Sequence, residues 1–98
     1  MARPSATPTV HLDNPRVRVT EWRFRPGEAT GWHRHEHDYV VVPVLGGTLE
    51  LHDGDATAEA TLAPGAAYFR EAGIEHDVAN TGETELTFVE IELKESRP

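Results

Sequence analysis

The sequence predicts an all-β domain, a barrel or sandwich of short strands, on three observations. Turn signals recur every eight to twelve residues or so: Asn14-Pro15, Pro26-Gly27, Gly46-Gly47, Asp53-Gly54, Pro64-Gly65, Gly73 and Asn80-Thr81-Gly82. Several of the runs between them are rich in β-branched and aromatic residues, which suit a pleated, half-buried surface. No stretch carries an apolar stripe of useful length at helical spacing. Evenly spaced strands joined by glycine and proline turns are the architecture this pattern favours.

Residues 1–9, with Pro4, Ser5 and Pro8, read as a flexible lead-in, and residues 10–98 as one barrel domain. RVRVTEWRF (16–24) is the first strand. GWHRHEHDY (31–39) reads as extended chain, and DYVVVPVL (38–45) as a strand in which Pro43 removes a ladder donor and so marks an edge or a bulge. TLELHD (48–53) and ATAEATL, ending at Leu62, flank Asp53-Gly54. That dipeptide is a hairpin signal, and it outweighs the good helix formers of the second run. AAYFR (66–70), EHDVAN (75–80) and ELTFVEIEL (85–93) complete the series.

Composition narrows the function. Ninety-eight residues hold one domain, and a chain this short buries roughly 60–70% of its extended surface, so a metal or a partner subunit would add usefully to its stability. A net charge of −8 argues against nucleic acid, whose phosphates demand clustered Lys and Arg, and against anionic membranes. The absence of cysteine excludes disulfides, thiolate ligands, iron–sulfur clusters and a cysteine nucleophile. The N-terminus has no apolar signal core and nothing is long and apolar enough to span a bilayer, so the expected location is the cytoplasm.

Three of the six histidines, His33, His35 and His37, alternate with Arg34, Glu36 and Asp38. In extended chain they share one face. Neighbours on that face are about 7 Å apart at Cα and can converge on one ion about 2.0–2.1 Å from each imidazole. Residues 33 and 37 are roughly 13 Å apart by the same rise, so a straight strand supplies one pair, 33/35 or 35/37. A third ligand must come from elsewhere. Of His11, His52 and His76, the last is best placed locally, because Gly73 turns the chain onto a new strand just before it.

Two separate motifs extend this picture. Gly27, five residues, His33-x-His35 and a later Gly46-Gly47 resemble the first motif of the cupin family. Gly65, five residues, then Glu71, Ala72, Gly73, two residues, His76, three residues and Asn80 resemble the second. The likeness covers roughly residues 16 to 93. The wider strings TEWRF, WHRHEHDYVVVP, YFREAGIEHDV and FVEIEL resemble small single-domain cupins associated with β-alanine degradation. The resemblance implies a double-stranded β-helix, or jelly-roll barrel, with a metal inside its mouth. It assigns His33, His35 and His76 as ligands and leaves His37 as an extra. Two departures stand out. The glutamate that usually follows the second histidine by three or four residues is replaced by Tyr39 and Val40. The usual proline of the second motif is Glu71. Glu36 and Asp38 fall early and are expected to face outward.

A site of three neutral imidazoles and a divalent ion carries about +2 and pulls anionic ligands onto the ion. Imidazole suits Fe, Zn, Ni and related ions, and three protein ligands leave open positions, the pattern of a catalytic site. Fe(II) is favoured, with Zn, Ni or Mn as alternatives. The resulting expectation is a mononuclear dioxygenase acting on a small anionic organic acid or thiol. The alternatives are a redox-inert isomerase or hydrolase, and a module that binds a small metabolite without converting it. Tyr39 is a candidate acid/base group, Arg70 and Arg23 are candidates to clamp a substrate carboxylate, and His37 is a candidate to support a ligand through a hydrogen bond. Trp22, Tyr68, Phe69 and Phe88 read as core or interface aromatics. Edge strands VRVTEW and FVEIEL lead us to expect a homodimer.

Overall fold

The computed structural model describes residues 3–94 and places nine strands in two antiparallel sheets. In chain order they are β1 (Thr7–Asp13), β2 (Val17–Phe24), β3 (His33–Arg34), β4 (Asp38–Leu45), β5 (Gly47–His52), β6 (Thr57–Leu62), β7 (Tyr68–Arg70), β8 (Glu75–Asn80) and β9 (Leu86–Leu93). One sheet has the order β1-β2-β9-β4-β7 and the other β3-β8-β5-β6. No helix among the described residues is long and apolar enough to cross a membrane.

The two sheets close on each other because each strand presents alternate residues inward. On β4 the buried residues are Tyr39, Val41 and Pro43, while Val40 and Val42 turn out. Phe24 and Leu86, both 0% exposed, and Leu49 at 1% form the densest part of the core with Phe88. Pro43 lies at the start of a register shift against β9 and beyond the three β4 residues that pair with β7, so its missing N–H costs the ladder nothing there.

The inner face of the five-stranded sheet grades from apolar to polar along its length. Phe24 stands opposite Leu86, Trp22 opposite Phe88, Thr20 opposite Glu90, and Arg18 opposite Glu92. The apolar end is the floor of the barrel and the charged end is its mouth.

The lead-in differs from expectation. Met1 and Ala2 lie outside the described residues, but the rest of residues 1–9 is tied to the barrel. Ser5 bridges Ala29, Ala6 is 5% exposed and its N–H donates to the Ala29 carbonyl at 2.9 Å. From Thr7 the chain runs as β1 along β2, which also places His11 in a strand. β1 is exposed at every position, so no alternation of burial marks it as a strand.

Candidate metal centre

His33 begins β3 directly opposite His76 of β8, so the antiparallel register brings two imidazoles to one place from positions far apart in the chain. β3 ends at Arg34. Two backbone hydrogen bonds then pin His35: its N–H donates to the Ile74 carbonyl at 2.9 Å, and Gly73 N–H donates to its carbonyl at 2.8 Å. Gly73 has φ +96°, a conformation that side chains disfavour, and this is how the turn before β8 reaches back to His35. The three rings meet nearly edge to face, with centroids 4.7 to 5.1 Å apart. Nε2 of His35 is 3.0 Å from Nε2 of His33 and 3.1 Å from Nε2 of His76.

Proton accounting says what this convergence accommodates. Nδ1 of His33 is 2.9 Å from the Gly31 carbonyl, an acceptor, so in the neutral ring Nδ1 carries the hydrogen and Nε2 keeps its lone pair. The Thr30 hydroxyl, 3.2 Å from the same Nδ1, donates to the Gly31 carbonyl and accepts from Val78 N–H, fixing the ring's surroundings to β8. With His33 Nε2 unprotonated, a single proton on His35 can satisfy only one of its two short contacts well. A cation satisfies all three lone pairs. Ligand nitrogens about 2.0–2.1 Å from a metal are themselves about 2.9–3.4 Å apart in octahedral or tetrahedral arrangements, and the observed spacings fall in that range. Burial, then the charges of the neighbouring histidines, pulls His35 down to about 4. Burial, then His33 and Arg70, pulls His76 down to about 4. Both rings are therefore neutral at pH 7, as ligands must be. The residues present fit a divalent ion, and among the described residues these three are the group of ligating side chains close enough to share one.

The other expected site residues are distributed differently. Tyr39 is 2% exposed and stacks on His35 at 3.9 Å with 16° between the planes. Burial holds its hydroxyl well above the usual phenol range, so it stays protonated, and the contact it makes is one that orients His35. Arg23 points away and pairs with Glu85 at 3.3 Å on the surface. Arg70 lies over the Tyr68 ring at 4.6 Å and donates to the Phe69 carbonyl; its charge is felt at His76 and Tyr39, but it does not line the cavity. The arginines that do line it are Arg18 and Arg34. His37 is half-buried on the cavity wall, and no hydrogen bond joins it to the three converging rings. Glu36 lines the cavity mouth in spite of its expected outward position, whereas Asp38 turns aside to accept Ala72 N–H at 2.8 Å. His11 and His52 are engaged elsewhere, with Glu21 and Glu50.

The cavity in front of the histidines has a volume of about 350 Å³, at the small end of the range for ligand sites. Its wall holds two groups that the sequence reading passed over, Glu90 and Glu92 of β9, beside Trp22 and Tyr68, which were read as core or interface aromatics. A signal for them was present. Phe88 is an inward core residue, and two-residue periodicity carries Glu90 and Glu92 onto the same face of FVEIEL. Burial, then Glu92, raises the Glu90 carboxyl to about 7, while the Trp22 indole N–H draws it back down. Arg18 pairs with Glu92 at 3.5 Å and also with Asp13 at 3.5 Å.

Comparison with known proteins agrees with this fold. The sequence profile of the cupin domain matches residues 20–92. The chain is 56% identical over 92 residues to the beta-alanine degradation protein BauB of Pseudomonas aeruginosa, covering 94% of this chain and 97% of that one. It is 30% identical over 69 residues to an oxalate-binding protein of Thermotoga maritima, covering 70% of this chain and 55% of that one. A crystal structure of a cupin domain from Bordetella pertussis superposes with a TM-score of 0.92 at 54% identity, covering 97% of this chain and 99% of that one.

Proposed function

The chain belongs to the cupin family, and from that premise we propose that it holds one divalent metal ion through Nε2 of His33, His35 and His76 and acts on a small anionic organic molecule in the cavity beside it. The single observation behind this reading is the meeting of three imidazoles, with Nε2 of His35 3.0 Å from that of His33 and 3.1 Å from that of His76 and the Gly31 carbonyl beside Nδ1 of His33. The likeness to BauB supports a place in β-alanine degradation. Iron(II) is the favoured ion, and when bound it supplies open positions at which an organic acid and dioxygen can meet.

The chain's own residues do the rest. Tyr39 keeps the His35 plane fixed by stacking, and Thr30 and Gly31 hold the tautomer of His33. Val41, Leu49, Leu51 and Val78 keep the inner cavity apolar, which strengthens electrostatic contacts made there. Arg34 at the rim offers an entering anion a positive charge, while Arg18 is engaged by Glu92 and Asp13. Cysteine-free composition fits the reducing cytoplasm as the place of work.

Metal analysis of protein purified without chelator tests the ligand set. His33→Ala, His35→Ala and His76→Ala are each expected to lose the metal, and His37→Ala to keep it. Retention in the His76 variant defeats the assignment. Oxygen uptake by the iron-loaded but not the zinc-loaded protein, over small organic acids and thiols, is the expected sign of oxygenase chemistry. The likeness to an oxalate-binding protein favours a second reading, in which the same centre binds a small dicarboxylate without converting it. Tight binding with quantitative recovery of the ligand, whichever metal is loaded, decides for that reading.

A homodimer completes the proposal. Leu12, Val19, Ile91, Val40 and Phe69 form one register-matched rung across all five strands, on the face opposite to inward Tyr39 and Val41. Leu12 at 49% and Phe69 at 51% exposure leave the ends of that rung open to water, the kind of apolar surface that a second subunit covers.

A further inference from the structure

The cavity has two unlike walls. His33 and His76 stand on the four-stranded sheet, and Glu90 stands on β9 in the middle of the five-stranded sheet, facing them across the barrel. Glu90 occupies the rung below Glu92 and Arg18, between Thr20 of β2 and Val41 of β4, and so lies deeper than the charged mouth. Resting on the reading that the three imidazoles hold a metal, we propose that Glu90 receives the protonated amine of a short amino acid whose carboxylate end lies at the imidazoles, so that the cavity selects bipolar ligands over purely anionic ones.

Charge accounting leads to this assignment. Of the two carboxylates on the wall, Glu92 pairs with Arg18 at 3.5 Å, whereas Glu90 forms no ion pair among the described residues and feels Arg18 only from the next rung. The neutral indole N–H of Trp22 draws the Glu90 carboxyl down without supplying a charge. An ionised carboxylate in a cavity without a counter-charge is costly, and a ligand ammonium is the group that removes this cost while donating hydrogen bonds to it. The surroundings also suit a cation. Trp22 and Tyr68 line the same part of the cavity, and aromatic rings attract ammonium groups. The opposite pole has the reverse character: three neutral imidazoles without a carboxylate ligand leave a bound metal's charge undiminished and attractive to an anion. The carboxyl of Glu90, poised near neutrality by burial and by Glu92, exchanges a proton for an incoming ammonium with little penalty.

Calorimetric titration of the zinc-loaded protein at pH 7.5 with 3-aminopropionate and with propionate tests the assignment, since the two differ in the amine alone and zinc forbids redox turnover. The wild-type protein is expected to prefer the amino acid by about tenfold or more, the worth of one charge-assisted contact in a cavity. The near-isosteric Glu90→Gln is expected to bring the two affinities to within about threefold, with propionate binding and zinc content otherwise intact. Equal affinities in the wild type, binding of neither ligand, or a preference that survives in Glu90→Gln overturns the assignment. The wild-type comparison stands even where the variant fails to fold. Zinc content of the histidine variants reports separately on the metal reading: if they lose zinc while the amine preference is absent, only the role of Glu90 fails.

Discussion

His33 and Asn80 show how single atoms hold this site together. At His33, the Gly31 carbonyl claims the Nδ1 proton and thereby turns a lone pair toward His35 and His76. Asn80, 1% exposed, donates from Nδ2 to the carbonyls of Phe24 and Thr84 and accepts Gly82 N–H at Oδ1, joining the end of β2, the turn after β8 and β8 itself. Asn80→Ala leaves two carbonyls and one N–H short of partners, so a loss on the order of 2–4 kcal/mol in chemical denaturation is expected. Glu90 gives a pH signature. Its folded value of about 7 lies above the ordinary carboxylate value of 4.5, so the native state binds the proton more tightly than the unfolded chain. The associated stability is fully present below pH 4.5 and is lost as pH rises through about 7, by roughly 2–3 kcal/mol for a group this buried. The groups that set this value are Glu92, Trp22 and Arg18, with Tyr39 and Tyr68 nearby. Glu90→Gln titrates nowhere in that range, so its stability relative to wild type is expected to climb between pH 5 and pH 8 in paired urea melts; a difference independent of pH contradicts the assignment. Spacing alone left the pairs 33/35 and 35/37 open, and the choice of His33 and His35 over His37 came from the cupin resemblance, counted from Gly27. Glu90 was not legible, because an acidic residue in a strand reads as outward until the register of Phe88 is known.

Elements place these residues, and β9 does most of that placing. It lies between β2 and β4, turns Phe88, Glu90 and Glu92 into the barrel, and turns Val89, Ile91 and Leu93 the other way. A slip of one residue would exchange the two sets. The bounds of β4 and β8 were readable from composition and turns, as was the hairpin of β5 and β6. β1 was missed, because Pro8 and continuous exposure hide a strand whose existence depends on pairing with β2. The extended histidine run was right only in part: β3 stops at Arg34, and a latch to Gly73 and Ile74 carries His35 into place. Gly46, between β4 and β5, is constrained by packing. A Cβ there would stand 2.4 Å from the Leu62 carbonyl oxygen and 2.9 Å from Pro64 Cδ. Gly46→Ala is therefore expected to lower the thermal midpoint, with a cost of roughly 1–3 kcal/mol, while leaving metal content unchanged in the folded fraction. A midpoint equal to wild type would mean that the β6 end yields freely.

For the whole molecule, a small barrel with a half-polar interior has little stability to spare, and both a metal and a partner would add to it. Removing metal with a chelator is expected to lower the unfolding midpoint of the wild type and to leave that of His76→Ala unmoved. Saturation at a thousand times the dissociation constant corresponds to about 4 kcal/mol. The apolar rung through Ile91 and Val40 makes a separate forecast: Ile91→Lys converts a dimer to a monomer in size-exclusion chromatography with light scattering, and a wild type that runs only as monomer removes the dimer from the account. The most direct test of the central claim is X-ray absorption at the metal edge of the loaded wild-type protein. The account predicts three imidazole nitrogens at about 2.0–2.2 Å, the rest of the shell coming from solvent or ligand oxygen. A shell with two imidazoles or fewer, or one in which a protein carboxylate takes the place of a ring, contradicts it.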